Sequence, residues 1–116
     1  MAPAAFNATR LIEEFGDETL IVELAQLLLA HVDEQLGAVS SAIETGNAPA
    51  LKSAAHKIKG GMGTFGAPTV IALASALESL GREGRLDLAP ELSSRLREEV
   101  IALCDSAREW LASRAA

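Results

Sequence analysis

The chain has 116 residues and a net charge of −6, with 49% hydrophobic but only 3% aromatic residues. That length suits one domain around a single core, residues 1–116. Scarce aromatic side chains favour helices over sheets, and the acidic balance argues against a nucleic-acid surface. Cys104 is alone, so no disulfide framework exists and a reducing cytoplasm is expected. The cysteine reads as a small buried hydrophobe. Met1-Ala2-Pro3-Ala4-Ala5 lacks the basic start and apolar run of a signal peptide. The most apolar run, Leu20 to Val32, contains Glu23, Gln26 and His31 and is too short and polar to span a bilayer.

In chain order, Asn7 is placed to cap a short helix reaching Phe15, with Gly16 ending it. Asp17 then caps a second helix running to about Thr45, with Glu18 well placed in its first turn. Ile21, Ala25, Leu28, Val32, Leu36, Val39 and Ile43 form its buried stripe. Leu20, Leu24 and Leu27 widen that stripe beyond what one core face needs. Either the first helix covers the surplus or part of it stays exposed as a docking patch. His31 lies on the same side, as a surface histidine or as the edge of that patch.

Asn47 caps a third helix with Pro49 in its first turn, and Gly66 is expected to stop it after Phe65. Pro68 opens a fourth through Val70, Leu73, Ala74, Leu77 and Leu80, which Gly81 and Gly84 are expected to break. Asp87 is the expected cap of the last, with Pro90 in its first turn and a stripe from Leu92 to Trp110-Leu111. Short connections between amphipathic helices imply antiparallel neighbours. The fold expected is all-α: an up-down four-helix bundle with a short additional N-terminal helix.

Ala55-His56-Lys57-Ile58-Lys59-Gly60-Gly61-Met62-Gly63 departs from this pattern. Leu51, Ala55, Ile58, Met62 and Phe65 make a buried stripe, and His56 points about 140° away from its centre. Lys52, Lys59, Gly60 and Gly63 share the outward side. Each glycine weakens a helix by about 1 kcal/mol relative to alanine, and a purely structural helix has no reason to carry several. Small residues beside an exposed imidazole let another molecule approach it. All three lysines of the chain (Lys52, Lys57, Lys59) lie within eight residues, and no Asp or Glu occurs between Glu44 and Glu78. An exposed histidine in local positive charge suits a phosphoryl group.

The motif His56, Lys59-Gly60 and Gly66-Ala67, continued by Leu77-Glu78 and Leu80-Gly81-Arg82, resembles the signature of histidine-containing phosphotransfer (HPt) domains. The resemblance implies a phosphorelay intermediary, cytoplasmic and bacterial. His56 would accept a phosphoryl group from the aspartyl phosphate of a response-regulator receiver domain and pass it to another regulator. A sensor or hybrid histidine kinase would be the further partner. The protein would be a carrier and not an enzyme with its own ATP site. It would need no cofactor, Mg²⁺ being supplied by the receiver, and a monomer is expected. Lys59 would offset charge on the phosphoryl oxygens, while Gly60 and Gly63 leave clearance and Lys57 joins the docking face. Glu78 either accepts the Nδ1 proton or repels phosphate, and reads as mainly structural. Arg82 either helps hold phosphate or serves the helix dipole.

Other readings are weaker. Gly61-Met62-Gly63-Thr64-Phe65-Gly66 spells G-x-G-x-x-G, but a dinucleotide fingerprint follows a strand and opens a helix, and no strand pattern occurs. The two histidines are 25 residues apart and no zinc spacing or inward Glu-x-x-His pair is present, so no metal site is expected. Two alternatives remain: the phosphoacceptor domain of a chemotaxis-type kinase, and a helical adaptor without chemistry. A chain that starts with Met and stops after its last helix favours the free-standing carrier.

Overall fold

The computed structural model describes residues 4–115. Five helices occur among them and no strand: α1 (Ala8–Phe15), α2 (Glu18–Glu44), α3 (Ala48–Gly63), α4 (Pro68–Glu83) and α5 (Ala89–Ala115). Three of them start on a side chain that satisfies an otherwise orphaned backbone donor. Asn7 accepts from the Arg10 amide, Asp17 from that of Thr19, and Asn47 from that of Ala50. The α1 and α4 ends are closed by left-handed glycines, Gly16 at φ 74° and Gly84 at φ 70°, a conformation only glycine adopts freely.

Neighbouring helices pack α2 to α3, α3 to α4 and α4 to α5, and α5 closes back on α2. Their register is antiparallel at three of these contacts. On α4, Glu78 meets His56 and Lys59 of α3, whereas Gly81, further along, faces Ala48 and Lys52. Between α2 and α5, Ser40 pairs with Arg97 and Glu18 with Arg114. Gln35 approaches Gly61, and Leu28 shares a groove with Met62 and Phe65. The core runs through Ile21, Leu51, Ile58, Leu77, Leu96 and Leu103, all fully buried; each contributes about 1.5–3 kcal/mol of apolar burial.

The helices are unequal. α2 and α5 have 27 residues and α3 and α4 have 16, about 40 Å against 24 Å. The long pair therefore overhangs the short pair. The N-terminal segment fills part of the resulting step, with Phe6 5.8 Å from Phe65 and 5.4 Å from Trp110 between ring centroids. Its backbone is tied to α5, where Glu99 accepts from Ala4 N–H and Ser106 from Phe6 N–H.

Three sequence expectations need correction. α3 ends at Gly63, and Gly66 (φ 61°) instead closes the following turn. Gly81 does not break α4 but lies buried inside it. A Cβ there would come within 2.6 Å of the Lys52 nitrogen and 2.8 Å of the Ala48 carbonyl oxygen, so this glycine lets two helix backbones meet. Asp87 stands two residues before the start of α5 at Ala89, too early for the cap position.

Candidate functional site

His56 leaves the outer face of α3 with its side chain 68% exposed, while the residues flanking its turn, Ala55 and Ile58, are fully buried. Its Nδ1 lies 2.7 Å from Glu78 Oε2. The other carboxylate oxygen, Oε1, accepts from Lys59 Nζ at 2.6 Å. Arg82, one turn along α4, has Nη2 at 3.9 Å from Oε2. Glu78 is only 8% exposed and is thus a nearly buried anion ringed by three basic side chains.

The hydrogen bond from Lys59, then that from His56, holds the Glu78 carboxyl below its ordinary range, against the opposing effect of desolvation. A carboxylate so held is acceptor-only. The facing Nδ1 must therefore carry the ring proton, and the neutral tautomer keeps its lone pair on Nε2. The arrangement is a ring fixed at one nitrogen on a side chain that is otherwise largely exposed. Glu78 does more than a structural acid would: it orients His56 and binds Lys59. Sequence reading undervalued it because the contact spans 22 residues and two helices. The available signal was an acid beside the buried stripe of α4, with a histidine and a lysine one turn apart on the preceding helix.

Lys59 is 34% exposed and committed to Glu78, so its charge is already offset in this state. Gly60 and Gly63 are exposed, and a Cβ at either would meet nothing within 4 Å. The helix surface beyond the imidazole is therefore low and open. Lys57 is exposed as well.

The apolar surplus of α2 divides. Leu24 packs partly against the core, whereas Leu20 (37%) and Leu27 (55%) stay exposed. Leu24, Leu27 and His31 line a shallow groove of about 170 Å³ with Gly61, Met62 and Phe65 of the α3 end. The structure thus brings Leu24, Leu27 and His31 to the side of α3 that also carries the glycines. On the opposite side of the histidine turn, a wider cleft of about 450 Å³ is lined by Pro49, Lys52, Ser53, His56 and Glu78. Among the described residues, no group of three or more His, Cys, Asp or Glu is arranged to hold a metal ion. None of the described helices is long and apolar enough to cross a membrane.

A family model for the Hpt domain matches residues 23–106. The chain belongs to the Hpt domain family, and it is a histidine phosphotransfer intermediary of phosphorelay signalling. The fold is similar to that of histidine-containing phosphotransfer protein B (HptB) from Pseudomonas aeruginosa PAO1, a crystal structure matched with a TM-score of 0.83. That match is at 24% sequence identity and covers 90% of this chain and 92% of the other. No curated protein matches the chain.

Proposed function

We propose that His56 is the phosphoacceptor. Nε2 attacks the phosphorus of an aspartyl phosphate presented by a receiver domain, and the same nitrogen then delivers the group to a second receiver. One observation carries this reading: an imidazole whose Nδ1 is held by a carboxylate while the rest of the ring faces solvent.

In the transfer an Nε2–P bond forms as the acyl P–O bond breaks, and the aspartate leaves as a carboxylate. The imidazole enters neutral and leaves with a formal positive charge, retaining its Nδ1 proton. Glu78 stabilises that charge through the hydrogen bond already in place. No proton has to move, so the step depends on in-line placement and charge neutralisation. Mg²⁺ and the acceptor aspartate belong to the receiver, and the chain carries no ATP site of its own. Its function is to carry the group between receivers, or between a sensor or hybrid kinase and a receiver.

The open surface at Gly60 and Gly63 supports approach of a whole domain, and Leu20, Leu24, Leu27 and His31 offer it an apolar footing. We assign the protein to the cytoplasm as a single domain acting as a monomer; the lone, buried Cys104 suits a reducing compartment.

The test offers a phosphorylated receiver domain to the purified protein. Acid-labile, base-stable label should appear on wild type and be absent from His56→Gln. Equal labelling of the variant refutes the assignment.

A further inference from the structure

Resting on the assignment of His56, we propose that Lys52 is the cation that meets the phosphoryl group, and that Lys59 acts through Glu78 as a positioning residue. The inference starts from how the local charges are already used. Lys59 donates to Glu78 at 2.6 Å, and Arg82 approaches the same carboxylate. Lys52, by contrast, is exposed, and its ammonium makes no ion pair or hydrogen bond among the described residues. It is an unspent positive charge in a segment without acids.

Its placement fits the role. Lys52 precedes His56 by four residues, so both stand on one helical face about 5–6 Å apart at Cβ. Helical side chains lean toward the N-terminus, which inclines the imidazole toward the turn of Lys52 and Ser53. Both residues line the cleft beside the ring. Gly81 adds a second constraint, because it packs against the Lys52 backbone and fixes where the lysine stem begins. A phosphoryl group on Nε2 carries about two negative charges. It would draw the flexible Lys52 ammonium across the cleft, while Lys59 keeps Glu78 ionised and Glu78 keeps the ring oriented.

The two lysines therefore differ in kind. Removing Lys52 takes away a charge that touches the group but leaves the imidazole tautomer alone. Removing Lys59 frees Glu78 to protonate at higher pH and changes when the ring is correctly held.

The full chain is treated with phosphoramidate, and acid-labile phosphate is followed over time at several pH values and salt concentrations. Here the P–N bond of the reagent breaks, the Nε2–P bond forms, and the amine leaves as ammonia. Lys52→Gln should label about fivefold more slowly than wild type, as expected for loss of an exposed charge pair. It should be less sensitive to salt and keep the wild-type pH profile and thermal midpoint. Lys52→Arg should restore the rate. Lys59→Gln should displace the acid limb of the pH profile upward. Wild-type rate and salt dependence in Lys52→Gln, or an unmoved profile in Lys59→Gln, overturns the division of roles while leaving His56 in place. Label that survives His56→Gln overturns the phosphoacceptor assignment itself, and this proposal with it.

Discussion

Gly60 and Gly81 sit on facing helices, yet replacing each by alanine should move stability in opposite directions. Gly60 is in the exposed interior of α3, and an added Cβ meets nothing within 4 Å. Alanine there gains helix propensity and reduces the freedom of the unfolded chain, a stabilisation of about 1 kcal/mol. At Gly81 the same methyl lands 2.6 Å from Lys52 N, 2.8 Å from Ala48 O and 2.9 Å from Lys52 Cα. All three are helix backbone atoms, which cannot rotate away as a side-chain tip would. Reaching ordinary contact at 3.4 Å requires α3 and α4 to separate locally by 3.4 − 2.6 = 0.8 Å. Overpacking costs about 1–3 kcal/mol, and three backbone contacts under 3.0 Å put this one at about 2–3 kcal/mol. After a propensity gain of about 1 kcal/mol, Gly81→Ala is about 1–2 kcal/mol less stable. Urea denaturation followed by circular dichroism reads both, provided the slope with denaturant is unchanged. In thermal terms the two variants should straddle wild type, at roughly 4 °C per kcal/mol. A Gly81→Ala protein as stable as wild type would show that the close approach of the two helices is not what requires glycine.

Further outcomes follow from the site. The folded Glu78 carboxyl titrates below its ordinary 4.5, so its contribution is present above about pH 4.5 and is lost as pH falls through the folded value. The stability gap between wild type and Glu78→Gln should therefore be widest near neutrality and close in acid; a gap independent of pH refutes the linkage. Gly63→Leu should fold normally but weaken binding of a receiver domain in calorimetric titration, and unchanged affinity would dismiss the clearance argument. Leu27→Asp, at a side chain 55% exposed, should leave the unfolding free energy within about 0.5 kcal/mol of wild type while lowering receiver affinity about tenfold or more. If affinity holds, the partner does not rest on α2.

What could be read from the sequence was whatever is decided within one or two helical turns. Asn7, Asp17 and Asn47 cap because a short polar side chain bonds an amide two or three residues on, which is local information. The outward direction of His56 follows in the same way from the period of its own helix. Gly81 was misread because its reason lies on the opposite helix: as local punctuation it signals a break, whereas across the bundle it is a contact. Glu78 was undervalued for the same cause, since nothing within its own helix announces His56 and Lys59. The fate of Leu20, Leu24 and Leu27 was equally non-local. Periodicity showed an apolar excess on α2, but only the packing of neighbours decides that Leu24 is partly covered and Leu27 is not. The tie of Ala4 and Phe6 to α5 spans 95 and 100 residues, beyond any motif.

An imidazole with one nitrogen tethered to Glu78 serves a single visitor at a time. With His56 as the proposed phosphoacceptor, donor and acceptor would both need the remaining lone pair, so they would exclude each other and turnover would proceed by exchange. Surplus unphosphorylated acceptor would then compete with charging, and the loaded histidine must outlast the interval in which one regulator departs and the next arrives.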